Sequence, residues 1–270
     1  FKMKIYYALI LLALVMAIGL GVLHPSSQQD PEPIVVTESI SKDTLTTPPD
    51  SSSTASDKIL ECITKEMLLG KFSPEGDTNY VVIPTYMCKY KGLYCHREPF
   101  AAFIAMRDSA RKAGVKLIIT SAFRSFDDQK EIWNTKWKSS NYTSTKDEIH
   151  KIRSIMRYSS MPGTSRHHWG TELDVNSCKL AYWNSSEGKR AYQWLCNNAH
   201  KFGFYQPYTA DAGRTGYAEE KWHWSYKAMS EKYFEAYIKT ITAEDITGFR
   251  GSHLVDSLKV IQTYVQGVSH

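Results

Sequence analysis

The stretch PGTSRHHWGTELDV, residues 162–175, decides how the chain must fold, because it gathers two histidines and two acids around one glycine. His167 and Asp174 lie seven residues apart. On a helix two turns, about 10 Å, would separate them, and on a straight strand they would point to opposite faces. Neither regular form lets both side chains reach one ion, whose nitrogen and oxygen donors must come within about 2.0–2.2 Å of it. The chain therefore has to bend between them, and Gly170 is the residue that permits the bend. The pattern predicts a loop that enters a strand near Thr171.

A second segment, EEKWHWSY at 219–226, supplies what the first one lacks. Trp222, His223 and Trp224 alternate as in a strand, with the imidazole on one face and both indoles on the other. His223 then completes a His/Asp/His set. Three protein ligands leave one position for water, the arrangement of catalytic rather than structural zinc. That water needs a base, and Glu219 and Glu220 precede His223 by four and three residues. Spacing alone does not choose between them. His168 is an alternative to His167 as ligand, but reads better as a packing residue or a backing group. Glu172 reads as a solvated strand residue or as a second acid at the rim. Arg124, in SAFRS just past the end of a buried strand, offers a planar fork to a carboxylate or an oxyanion. Its duller role is a surface pair with Asp127 or Asp128. A Trp-His-Trp run by itself is also the mark of a packed strand, so the combination of segments carries the metal reading.

Outside these segments the chain is that of a globular protein, with 42% hydrophobic and 23% charged residues. Lys+Arg 33 against Asp+Glu 28 leaves only +5, with no long basic run, so nucleic acid is excluded as the default partner. Ile5 to Leu23 is uncharged for nineteen residues and follows Lys2 and Lys4. It is long enough to cross a bilayer, with the lysines on the cytoplasmic side. Residues 1–24 are thus expected to be a signal anchor or a signal peptide, with length favouring the anchor and membrane contact made through this segment. Residues 25–57, rich in Ser, Thr, Pro and Asp, read as a disordered tether.

The folded domain is expected over 58–270. Apolar spacing predicts a helix ending at Gly70, a strand in NYVVIP, and a helix from Glu98 to Ala113 with Phe103, Met106 and Ala110 buried. A buried strand over Val115–Thr120 and a helix begun by Ser125 follow. Further helices are expected over Gly188–His200 and Ser230–Ile241, with a strand in FGFYQPY between them. Leu254, Leu258, Ile261 and Val265 predict a closing helix over about 252–266. Too few strand-helix-strand units occur for a doubly wound sheet, so the fold class is α+β. Five cysteines leave at least one unpaired in a monomer; buried thiols are as good a reading as bridges, and if bridges form the expected pairs are Cys178 with Cys196 and Cys88 with Cys95, leaving Cys62. Two sequons, at Asn141 and Asn184, matter only in a eukaryotic secretory route.

Three blocks, SAFRSFDDQ at 121–129, PGTSRHHWGTELDV at 162–175 and EKWHW at 220–224, resemble in content and order the VanY-type D-alanyl-D-alanine carboxypeptidases. The resemblance covers roughly residues 90–240. It implies a hedgehog/DD-peptidase-like domain, a small, mostly antiparallel sheet packed with helices around a cleft holding one zinc ion. The family's Ser-x-His-x6-Asp pattern falls on Ser165, His167 and Asp174, and its Glu-x-x-His pattern on Glu220 and His223. The resemblance therefore prefers Glu220 over Glu219 as base and His167 over His168 as ligand. It also implies that Arg124 and Gln129 stand by the substrate, with Ser165 lining the pocket. His168, Glu172, Trp222 and Trp224 are candidates to back the ligands. This chain departs from the pattern at Glu172, where many relatives carry Ala, and at Lys221, where Pro is common. An added carboxylate near the cleft is expected to alter which peptide end is accepted.

The implied substrate is a peptidoglycan stem peptide ending in D-Ala, in the bacterial cell envelope, either membrane-anchored or exported. An L,D-carboxypeptidase or a peptidoglycan endopeptidase is the alternative. A zinc-containing wall-binding module without turnover is a distant one, since a structural site has no use for Glu220. No oligomeric state follows from the sequence.

Overall fold

The computed structural model describes residues 63–139 and 147–269. The apolar run 5–23, the tether 25–57, Cys62 and Asn141 lie outside the described residues. Among the described residues no helix is long and apolar enough to cross a membrane.

Helix α1 (Lys65–Leu69) starts where the Thr64 hydroxyl accepts from the Met67 N–H and stops at Gly70, whose φ of 71° is left-handed. Strands β1 (Tyr80–Val82) and β2 (Tyr94–His96) pair antiparallel. Helix α2 (Arg97–Lys112) buries Phe103, Met106 and Ala110, as its apolar stripe predicts. Strand β3 (Ile119–Ser121) is shorter and later than the expected Val115–Thr120. Val115 and Leu117 are buried, but Asn176 has a φ of 58° and its side-chain oxygen accepts the Ile118 N–H. A side chain thus replaces the neighbouring strand before Ile119. Helix α3 (Phe126–Lys138) begins on a capping box in which Ser125 and Asp128 exchange hydrogen bonds. Asp128 is thereby engaged at the helix start, and Arg124 turns elsewhere.

Helix α4 (Glu148–Met156), started by the Asp147 side chain, was not anticipated by the spacing read above. Next come a 3-10 turn (Arg166–Trp169), strand β4 (Glu172–Val175), the short helix α5 (Leu180–Asn184) and helix α6 (Ser186–Asn198). Strands β5 (Phe204–Tyr205) and β6 (His223–Tyr226) and helix α7 (Lys227–Thr240) follow. The main sheet runs β3-β4-β6-β5 with every neighbour antiparallel. The fold is α+β, as expected. One apolar cluster packs α2 and α6 on the sheet through Phe103, Met106, Leu173, Leu195 and Trp224. A second gathers α3, α4 and α7 around Trp133, Ile152, Trp169 and Tyr237.

Two expectations fail. The closing helix over 252–266 does not form: Ser252–Leu254 makes a 3-10 turn, Lys259 is left-handed with φ 49°, and Ile261–Val265 forms a π-turn. Backbone bonds here span five residues, Val260 N–H to Val255 and Gln266 N–H to Ile261. That wider spacing buries Val255, Val260 and Val265, while Leu254, Leu258 and Ile261 are only partly covered. Nor do the disulfides form, since Cys88, Cys95, Cys178 and Cys196 are all free. The Cys88 and Cys95 thiols turn instead to the carbonyls of Pro84 and Gly170, each at 3.4 Å.

The predicted bend is present. Gly170 has a φ of 68°, and a methyl group there would meet the buried Tyr80 ring at 2.5 Å. Gly170→Ala is expected to cost roughly 2–5 kcal/mol, from a left-handed penalty of about 1–2 and overpacking of about 1–3. An unchanged urea midpoint would show that the bend tolerates a side chain.

Candidate active site

Register builds the site. Asp174 stands opposite His223, Leu173 opposite Trp224 and Glu172 opposite Ser225. Alternation then puts Glu172, Asp174, His223 and Ser225 on one face, and Leu173 and Trp224 in the apolar core on the other. The turn at Gly170 lays His167 over the polar face. Asp174 Oδ1 lies 3.1 Å from His223 Nδ1 and 3.3 Å from His167 Nε2. The two imidazoles are perpendicular, their centroids 4.7 Å apart.

The far nitrogen of each ring is engaged, His167 Nδ1 with the Ala122 carbonyl at 2.7 Å and His223 Nε2 with Glu172 Oε2 at 2.9 Å. With the ring hydrogen on each of those atoms, both remaining lone pairs face Asp174. One donor atom from each of the three residues lies within 4.8 Å of the others. Two donors bound tetrahedrally at zinc distances would stand roughly 3.4 Å apart. Donor types, spacing and lone-pair direction all fit a zinc ion.

Burial lowers the His167 pKa. For His223 burial acts the same way, but hydrogen bonds to Asp174 and Glu172 outweigh it and raise the value to about 9. An ion arriving at neutral pH must therefore displace a proton. Burial alone would raise Asp174, yet His167 and His223 hold its carboxyl well below the usual carboxylate range.

These residues face a cleft of ≈ 410 Å³. Glu220 lines it, with Oε2 3.9 Å from His223 Nδ1, and burial pushes its carboxyl up to about 7. Glu219 is turned aside, accepting from the Tyr192 hydroxyl at 3.1 Å. Geometry thus separates two acids that spacing left equal. Arg124 also lines the cleft, its Nη1 bonded to Gln129 Oε1 at 2.6 Å, its Nη2 to Ser121 Oγ at 3.0 Å and 3.8 Å from Asp174.

Gln129 was expected by the substrate, but it is fully buried and does not line the cleft. Its amide spans from Arg124 to the Ser160 carbonyl, so it fixes the guanidinium rather than touching a ligand. Ser165 lines the cleft as expected. His168 is buried away from the three donors, where its Nε2 accepts the Gly163 N–H and its Nδ1–H donates to the Arg124 carbonyl. Trp222 edges the cleft, whereas Trp224 packs in the core on the opposite face and backs no ligand. Glu172 is 0% exposed and stands behind His223, in the backing position rather than solvated or at the rim.

Two residues escaped the sequence reading. Lys136 lines the cleft eleven residues past the Ser125 cap, with Nζ donating to the Tyr158 carbonyl. Arg166, 2% exposed, pairs with Glu172 at 3.3 Å. Its neighbours in sequence are the only hint of its burial.

The family model described as VanY, D-alanyl-D-alanine carboxypeptidase, matches residues 92–229, just over half of the chain. The chain belongs to the VanY family. All three blocks named above fall inside the match. This VanY-family chain is similar to a D-alanyl-D-alanine carboxypeptidase of Enterococcus faecalis (strain ATCC 700802 / V583), 33% identical over 123 residues covering 44% of this chain and 43% of the relative. The YodJ protein of Bacillus subtilis (strain 168) is 30% identical over 182 residues, 63% of this chain and 60% of its own length. The chain thus spans less than two thirds of either curated relative. Among solved structures, VanYB in complex with D-alanine-D-alanine matches at a TM-score of 0.44 and 25% identity, over 60% of this chain and 94% of that one.

Proposed function

We propose that this chain is a zinc-dependent D-alanyl-D-alanine carboxypeptidase that removes the C-terminal D-Ala of peptidoglycan stem peptides. The observation that carries the reading is the convergence of His167, Asp174 and His223 on a cleft whose wall holds Glu220 and Arg124. His167 Nε2, one Asp174 oxygen and His223 Nδ1 would hold one ion. Zinc held there would supply Lewis acidity, enough to bring the pKa of a water to about 7.

The remaining chemistry belongs to the chain. Glu220 Oε2 takes a proton from the attacking water and returns it to the leaving amine, a role suited to a carboxyl raised toward neutrality. Arg124, held by Gln129 and Ser121, offers its guanidinium to the terminal carboxylate or the developing oxyanion. Ser165 and Trp222 wall the peptide in. We extend the proposal to place: the uncharged run after Lys2 and Lys4 supports attachment to or export across the cytoplasmic membrane, and the tether gives reach toward the wall.

Mass spectrometry of pentapeptide and tetrapeptide muropeptides incubated with the zinc-loaded protein tests the reading. Loss of one alanine from the pentapeptide is the expected result. Shortening of the tetrapeptide alone would make it an L,D-carboxypeptidase, and an internal cut an endopeptidase. No cut by protein that has bound zinc would make it a binding module.

A further inference from the structure

His223 lies between two carboxylates. Its Nδ1 faces Asp174 at 3.1 Å and its Nε2 faces Glu172 Oε2 at 2.9 Å. Glu172 is wholly buried and lies outside the cleft lining, so no substrate meets it. Its other oxygen accepts from Thr171 Oγ1 at 3.0 Å and Ser225 Oγ at 2.8 Å. Arg166 sits 3.3 Å from that oxygen, donates to Ser225 Oγ and Tyr205 Oη, and lies over the Trp169 ring at 4.7 Å. Three neighbours therefore hold the acid at one oxygen, and its remaining engagement is the imidazole at the other.

We propose that Glu172, anchored by Arg166, is the positioning residue of the metal centre: by accepting the Nε2–H of His223 it keeps the Nδ1 lone pair directed at the ion. The inference rests on the zinc reading of the site and adds a residue to it. His167 gets the same service from a backbone carbonyl, Ala122 at 2.7 Å, which no substitution can remove. At His223 the acceptor is a side chain, with a full charge that makes the imidazole a stronger donor to metal. Stability gives little reason to keep such a pair. Replacing both members of a buried ion pair by apolar groups is often neutral or stabilising, whereas removing one strands a buried charge. A pair kept for folding alone is thus dispensable as a unit, and a pair kept for the metal is not.

That difference sets the experiment. The double variant Glu172→Ala/Arg166→Met avoids a stranded charge, and Glu172→Gln keeps an acceptor for Nε2–H. Zinc dissociation constants come from competition with a chromophoric chelator, and the His223 ring protons from 1H–15N spectra of the zinc-loaded chains. The double variant is expected to bind zinc about 10–100-fold more weakly. Glu172→Gln should recover much of that loss, and the His223 Nε2–H should be protected from exchange in the wild type and exposed in the double variant. Wild-type affinity in the double variant would overturn the proposal. So would a wild-type spectrum with zinc on Nε2, a result that depends on no variant folding. A wild-type chain that binds no zinc fails differently, since it removes the metal centre itself.

Discussion

Glu220→Gln should lower turnover by about 10²–10⁴-fold, the range for loss of a general base, while zinc stays bound. The amide fills the same space at the cleft wall but cannot accept the proton. Zinc retention separates this loss from collapse of the site, and a variant with full turnover would move the base elsewhere. The same substitution should leave a signature in stability. In the metal-free protein the Glu220 carboxyl rises from 4.5 to about 7, with burial the leading cause. The folded state then holds this proton more tightly than the unfolded chain does. Stability is accordingly fuller below pH 4.5, falls as pH rises through about 7, and stays reduced above it. A rise of that size corresponds to on the order of 3 kcal/mol. Gln cannot ionise, so metal-free Glu220→Gln should melt above the wild type at pH 8 and beside it at pH 4.5. Equal melting at pH 8 would show that the carboxylate carries no burial penalty there.

Asp174→Asn should empty the site. Asp174 touches both imidazoles and stands 3.8 Å from Arg124, so its charge holds three cationic or polarised neighbours together. The variant should carry background zinc by elemental analysis and no measurable turnover. In the metal-free protein the change leaves buried positive charge unmatched, at a cost of about 3–5 kcal/mol. For a domain of this size that is a fall in Tm of roughly 10 °C. The sign follows from the direction of the shift: a carboxyl held far below its ordinary 3.8 stabilises the fold above that pH, and the contribution fades as pH falls through its folded value. The gap between wild type and variant should be full at pH 7 and narrow in strong acid. Undiminished zinc in Asp174→Asn would remove it from the ligand set.

Much of this site is legible in the sequence, for reasons particular to the residues. Asp174 and His223 belong to strands whose period of two fixes which side chains share a face, and Gly170 was the one residue that could turn His167 onto it. Contacts that cross the fold without a period were not legible. Arg166 reaches Glu172 through the turn and the strand that follows it, and nothing in an alternating pattern separates that acid from a solvated one. The family resemblance implies Gln129 by the substrate; burial, which a motif does not report, makes it a clamp on Arg124. The closing helix misled because Leu254, Leu258, Ile261 and Val265 fit the α period, whereas Lys259 interrupts it and the chain buries valines at five-residue steps.

The pairing of β4 with β6 reaches beyond geometry. A slip of one residue would turn Asp174 and Glu172 inward and carry Leu173 into the cleft. No partly native chain with a shifted strand can assemble the three donors, so the ion selects one alignment of the sheet from among its neighbours. Bound metal would then act as an inspector of assembly: it stabilises only correctly threaded copies, by an amount set by its concentration over its dissociation constant. Zinc occupancy in a preparation would count the molecules that folded correctly as well as those able to work.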